Sequence, residues 1–325
     1  MSFTPVASLK GKSVCAASQF DRTDIDALIE LARAMKAHIE SGQTIHALDG
    51  RVMTPLFYED SSRTLSSFCA AMLRLGGQVV NFKVEGSSVN KGETLEDTVR
   101  TLDSYSDVLV LRHPKVEALA QATSVAQHPV MNAGNGSGEH PTQALLDTLT
   151  ISAELGRVDG ITIALIGDLK MGRTVHSLLK LLTHNFSLAK VYLVAPAGLE
   201  MPQEVLDAVA ADLTQKHIAL EQVHALSPAI VADCDVLYAT RLQKERFPAA
   251  AAGADPVAAF QKAKEDILIN KARLESAKEK MIVMHPLPRV DELSTDIDSD
   301  PRAAYFRQMK YGLFMRMAIL YSVLA

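Results

Sequence analysis

The sequence predicts an α/β protein made of two doubly wound parallel-sheet domains joined by helices. Short apolar, β-rich runs alternate with amphipathic stretches, the pattern of a parallel sheet covered by helices on both faces. Four such runs precede residue 135 and four follow residue 160. A chain of 325 residues is long enough for about two domains, each burying its own core.

In chain order the strand candidates are VMTPLFY (52–58), QVVNF (78–82), VLVLRH (108–113), PVMNAG (129–134), ITIALIGD (161–168), KVYLVAP (190–196), DVLYATR (235–241) and MIVMHP (281–286). An amphipathic helix spans 25–39, with Thr23 and Asp26 as its capping pair. Leu65, Phe68, Met72 and Leu75 share one helical face, and Gly76-Gly77 ends that helix. Pro141 suits the first turn of a helix over 142–155, so the join between domains falls near His140-Pro141. PAAAAGADPVAAF (248–260) lies in a region without strand signal and reads as a mobile loop. The apolar stretch 311–325 reads as a helix packed on one of the domains.

Composition narrows the function. Apolar residues make up 48% and charged ones 22%, as in soluble globular chains, and with aromatics at only 5% the core must be mainly aliphatic. A net charge of −5 argues against a nucleic-acid or membrane-surface partner. Cys15, Cys69 and Cys234 show no paired spacing, which indicates a reduced interior. With no signal-peptide core and no apolar run of about 18 residues, a cytoplasmic location is expected.

In an open parallel sheet, ligands bind beyond the carboxyl ends of the strands. Those ends carry Ser61, Ser62, Arg63 and Thr64; Arg112 and His113; GNGSGEHPTQ with His140 and Gln143; DLKMGRT with Arg173; TRLQKER with Arg241 and Gln243; and HPLPR. A single loop arginine is usually solvated, and a single His-Pro is usually a turn. Many basic or amide-bearing tips on one edge would repel one another unless anions bind between them. The turn at FYEDSSRTLSSF joins a strand end to a helix start, where outward N–H groups and an arginine fork can hold an anion.

Other chemistries fit less well. GDLKMG lacks the dinucleotide-fingerprint spacing, and there is no GxxxxGK[ST] loop. His and Cys show no metal-ligand spacing, no Gly-x-Ser-x-Gly elbow occurs, and no cysteine lies at a strand tip. Catalysis by positioning and electrostatics, without metal or cofactor, is what remains.

The ordered motifs SSRT, LRHP, NAGNGSGEHPTQALLD, GDLKMGRTVHS, TRLQKERF and HPLPRVDE with DPRAAYF resemble the aspartate carbamoyltransferases, catalytic chains of pyrimidine synthesis, over about residues 5–324. Ornithine carbamoyltransferases carry an HCLP element where this chain has His285-Pro286-Leu287-Pro288. The resemblance implies a carbamoyl-phosphate-binding domain of residues 1–141 with the C-terminal helix 305–325, and an aspartate-binding domain of residues 142–304. It also implies transfer of a carbamoyl group to L-aspartate. Ser61, Ser62, Arg63 and Thr64 would hold the phosphate, and Arg112 and His140 would face the carbamoyl oxygen. Gln143 and the carbonyls of Pro286 and Leu287 would take its NH2, with a cis Leu287–Pro288 bond. Arg173, Arg241 and Gln243 would hold the aspartate carboxylates. Ser87 and Lys91, in VEGSSVNKGET, would come from a neighbouring subunit of a homotrimer, with Lys91 reaching aspartate.

Four departures stand out, the first being Leu65 after the phosphate loop, where some relatives have arginine. Ser62 replaces the usual threonine of STRT and keeps the hydroxyl. Asn135 replaces the aspartate of NAGDG and removes a charge. A single lysine precedes GET. A transcarbamylase for another acceptor, and a non-catalytic relative serving as an assembly module, remain as alternatives. The intact Arg173 and Arg241/Gln243 set favours a dicarboxylate over the first. Regulatory or pathway-enzyme partners are also open.

Overall fold

A computed structural model of the chain describes residues 3–242, 247 and 256–325. The chain divides into two compact units, residues 1–149 with 309–325, and residues 150–308. Both divisions fall inside helices, Pro141–Leu155 and Tyr305–Leu324.

In the first unit the strands are β1 (Val52–Phe57), β2 (Gln78–Val79), β3 (Val108–His113) and β4 (Val130–Asn135), in the order β2-β1-β3-β4 and all parallel. The intervening helices are α1 (Arg22–Glu40), α2 (Ser62–Arg74), α3 (Leu95–Asp103), α4 (Ala118–Val125) and α5 (Pro141–Leu155). In the second unit β5 (Thr162–Ile166), β6 (Lys190–Val194), β7 (Ala219–Val223), β8 (Val236–Ala239) and β9 (Ile282–Met284) run in parallel in the order β7-β6-β5-β8-β9. Here the helices are α6 (Arg173–Asn185), α7 (Gln203–Gln215), α8 (Pro228–Asp233) and α9 (Pro256–Ile267), and α10 (Tyr305–Leu324) closes the chain.

Each sheet starts at an inner strand, grows to one side, then resumes on the other. The strand order therefore reverses between β1 and β3 in the first unit and between β5 and β8 in the second. At such switch points the two flanking loops diverge and leave a crevice for ligand.

Central strands are buried on both faces, which is why they read as continuous aliphatic runs: β5 is buried throughout, and Val108 to Leu111 likewise. Each buried Leu, Ile or Val contributes about 1.5–3 kcal/mol by leaving water. Pro55, inside β1, is tolerated for a specific reason. Val80 N donates to Met53 O, so Met53 and Pro55 face β2, and the β2 register ends at Met53. The missing proline N–H falls where the neighbouring strand has stopped.

Three expectations need correction. β7 gave no strand signal, because ALEQV is an edge strand whose residues are mostly exposed. The α1 cap is Asp21, whose side chain accepts from Asp24 N; Thr23 lies inside the first turn. The region read as a mobile loop contains helix α9, while residues 248–255 lie outside the described residues. Among the described residues no helix is long and apolar enough to cross a membrane.

Candidate active site

In the first unit, the turn after β1 leads into α2 with Ser61 as its N-cap. The Ser61 side chain makes no capping hydrogen bond, and the first turn holds no acidic residue. The N–H groups of that turn and the positive end of the helix therefore have no acceptor in the cap side chain and no acidic residue in the turn itself. Ser62 is exposed, Ser61 and Arg63 are half-buried, and Thr64 is buried. Among the described residues Arg63 makes no hydrogen bond or ion pair, and burial pulls its guanidinium below its ordinary pKa. A partly desolvated cation at a helix N-terminus whose cap side chain makes no hydrogen bond is an arrangement that can hold an anion.

Arg112 stands beside this turn because β1 and β3 are neighbours: Tyr58 N donates to Arg112 O. Its Nη1 donates to Ala133 O at 3.2 Å and its Nε lies 3.4 Å from Glu59 Oε2. Between Leu111 and His113 the β3–β4 register slips, so one residue faces Ala133 and Gly134. This bulge re-aims the strand end at the place where Arg112 emerges.

Beyond β4 the loop 135–140 is pinned by Asn135. Its Nδ2 donates to Val116 O, and its Oδ1 accepts from Glu139 N. An ionised aspartate could not make the first bond, which gives the NAGNG departure a structural role. Gly136 is required here: at φ +53° an added Cβ would lie 2.5 Å from Pro114 O. His140 and Gln143, both buried, follow at the start of α5. Gln143 Nε2 donates to Asp147 Oδ1 at 2.9 Å.

Ser87 and Lys91 lie on a short 3-10 turn, Ser88–Lys91, capped by Ser87 and closed by Gly92 at φ +93°. The Ser87 hydroxyl donates to Val84 O within the loop. Lys91 is exposed and, among the described residues, makes no hydrogen bond or ion pair.

In the second unit Arg173 opens α6, just after β5, and Arg241 follows β8. Both are half-buried. Thr240 N donates to Ile166 O at 2.7 Å, and a Cβ on Gly167 would lie 2.4 Å from Thr240 O. This close approach packs the two strand ends of the switch point together just where their loops begin. The buried His176 ring bonds Leu169 O at 2.7 Å and holds the 167–172 loop down. Gln243 lies outside the described residues.

The loop after β9 is shaped by a buried pair that sequence reasoning missed. His285 Nδ1 accepts from Leu287 N at 2.8 Å, so the ring carries its proton on Nε2, 2.8 Å from Glu292 Oε1. Both side chains are at most 2% exposed. Burial, the largest single influence, pushes the Glu292 carboxyl up, but the His285 contact and the backbone N–H donors together outweigh it and the net shift is down. Leu287 takes φ +56° and the Leu287–Pro288 bond is cis. Arg289 is held by a two-pronged bond to Asp298, with Nη2 to Oδ2 at 2.6 Å. Among the described residues, no group of three His, Cys, Asp or Glu side chains could hold a metal ion.

Two family models match, one after the other. "Aspartate/ornithine carbamoyltransferase, carbamoyl-P binding domain" covers residues 12–153, and "Aspartate/ornithine carbamoyltransferase, Asp/Orn binding domain" covers residues 159–323. The chain belongs to the aspartate/ornithine carbamoyltransferase family. Among curated carbamoyltransferase relatives, aspartate carbamoyltransferase 2, chloroplastic, of Pisum sativum is 45% identical over 94% of this chain and 77% of its own. The multifunctional protein pyr-3 of Neurospora crassa is 46% identical over 98% of this chain, which spans only 17% of that relative's length. Trypanosoma cruzi aspartate transcarbamoylase, solved with carbamoyl phosphate and aspartate, is 65% identical with a TM-score of 0.95, over 99% of this chain and 98% of that one.

Within this carbamoyltransferase frame, sequence reasoning located the loop tips but missed what supports them. Asp147, Glu292 and the buried Arg316 of α10 carry no local signature. One usable sign was Gly312, a glycine inside a long helix with no turn to explain it.

Proposed function

We propose that the chain transfers the carbamoyl group of carbamoyl phosphate to L-aspartate, giving N-carbamoyl-L-aspartate and phosphate, in pyrimidine synthesis. The observation that carries this reading is the first turn of α2, without a side-chain cap, with Arg63 beside it desolvated and, among the described residues, unpaired. Such a turn suits a phosphate dianion.

In this reading Ser61, Ser62, Arg63 and Thr64 hold the phosphate. Arg112, His140 and the Thr64 hydroxyl face the carbamoyl oxygen. Gln143 and the carbonyls of Pro286 and Leu287 accept from its NH2. Arg173, Arg241 and Gln243 hold the two aspartate carboxylates, for which planar guanidinium forks are suited. The neutral amine forms the new C–N bond, and the tetrahedral oxyanion is stabilised by donors worth ~3–4 kcal/mol each. The C–O bond to phosphate then breaks, and the departing phosphate takes the amine proton.

Ser87 and Lys91 complete a neighbouring subunit's site in a homotrimer, since a cyclic head-to-tail assembly lends one such loop to every site. Lys91, exposed and without a partner among the described residues, supports this. The free thiols of Cys15, Cys69 and Cys234 support a reduced, cytoplasmic setting. The multifunctional relatives support association with other enzymes of the pathway.

A dicarboxylate acceptor is favoured over ornithine because Arg173 and Arg241 both lie beside the β5/β8 switch. Colorimetric assay of the ureido product with each acceptor tests this. Turnover with aspartate and none with ornithine is expected; the reverse contradicts the acceptor, and no turnover with either contradicts the enzyme.

A further inference from the structure

Beneath the anion turn lies a buried cation with no place in the roles above. Arg316, on α10, is 4% exposed. Its Nη1 donates to Ser67 Oγ at 2.9 Å, and its Cζ sits 5.0 Å from the centre of the Phe68 ring. Ser67 and Phe68 are one helical turn beyond Arg63 and Thr64, on the same stripe of α2. The guanidinium therefore supports the side of α2 from which the phosphate-binding residues start.

Room for it is made on its own helix. A Cβ on Gly312 would lie 3.1 Å from Arg316 Nη1 and 3.1 Å from Leu146 Cδ2. The guanidinium thus passes close to α5, where Asp147 follows Leu146. Burial draws its pKa down to about 10, and the Asp147 carboxylate opposes that shift. Asp147, fully buried, is also the group that holds the Gln143 amide. An ionised carboxylate only accepts hydrogen bonds, so the NH2 of Gln143 must face it. The amide oxygen is left to face the other way, as an acceptor.

We propose that Arg316 and Asp147 are positioning residues of the carbamoyl-phosphate half-site: Arg316 seats α2 beneath its phosphate-binding turn, and Asp147 turns the Gln143 amide so that its oxygen meets the carbamoyl NH2. This rests on the carbamoyl-phosphate reading of that half-site. Arg316 and Asp147 touch no substrate and act through Ser67, Phe68 and Gln143.

Calorimetric titration of the full chain with two probes separates positioning from bulk stability. Inorganic phosphate needs only the α2 turn; phosphonoacetamide, a stable isostere of carbamoyl phosphate, also presents an NH2. In Asp147→Asn the Gln143 amide is free to turn over. Phosphonoacetamide affinity is expected to fall about tenfold, the effect of one lost hydrogen bond, with phosphate affinity within about twofold. Equal changes for both probes overturn the role of Asp147. Gly312→Ala, which improves helix propensity while displacing the guanidinium, is expected to weaken both probes several-fold without lowering the thermal midpoint. Unchanged affinities overturn the role of Arg316. Wild-type protein that binds phosphate no more weakly than phosphonoacetamide overturns the carbamoyl-phosphate reading itself.

Discussion

Replacing Arg63 with alanine is expected to lower the maximal rate by about 10²–10³-fold while aspartate affinity changes by no more than about twofold. The guanidinium is held half-buried at the first turn of α2 and, among the described residues, has no hydrogen bond or ion pair. In the proposed reaction it faces the departing phosphate, where charge accumulates, so its removal should act on the transition state. Stability should respond in the opposite sense from activity. A desolvated cation without a partner costs free energy in the unliganded protein, so the Arg63→Ala midpoint should equal or exceed that of the wild type. Steady-state kinetics with a thermal scan checks both. Equal losses in rate and aspartate affinity would contradict a role confined to the phosphate.

The second large effect is expected at Glu292→Ala. Glu292 accepts from the His285 ring and from Val290 N, and His285 in turn accepts Leu287 N–H. Removing the carboxylate leaves the buried Nε2–H without its acceptor, at roughly 1–3 kcal/mol, while Val290, an exposed residue, can turn its N–H to water. A loss of roughly 1–3 kcal/mol in unfolding free energy is expected by chemical denaturation. Catalytic efficiency should fall about 10²-fold as the carbonyls of Pro286 and Leu287 lose their direction. Glu292→Gln keeps an acceptor of the same length and should recover much of both. If Gln proves as damaging as Ala, the carboxylate has a role other than holding this loop.

Much of this molecule was legible because parallel strands buried on both faces announce themselves. VLVLRH and ITIALIGD lie on β3 and β5, and their polar ends mark where each strand leaves the sheet. Strand-end residues inherit their place from topology, so Arg63, Arg112, Arg173 and Arg241 could be singled out before their distances were known. β7 was not legible: ALEQV lies at a sheet edge, where most of its side chains meet solvent and no apolar run is needed. Asp147, Glu292 and Arg316 escaped for another reason. Their roles depend on which helices and loops pack together, and a buried charged residue looks in sequence like an exposed one. Asn135 is intermediate. Its departure from the family pattern was visible, and its bond to Val116 O explains it only once the loops are in place.

The most direct test of the function is calorimetric binding of a bisubstrate analogue that joins a phosphonate to aspartate, using wild-type, Arg63→Ala and Arg173→Ala proteins. Tethering should make the analogue bind at least about 10²-fold more tightly than phosphonoacetamide, and each replacement should weaken it at least about tenfold. An analogue no tighter than phosphonoacetamide, or one insensitive to either arginine, would contradict joint recognition of the two anions.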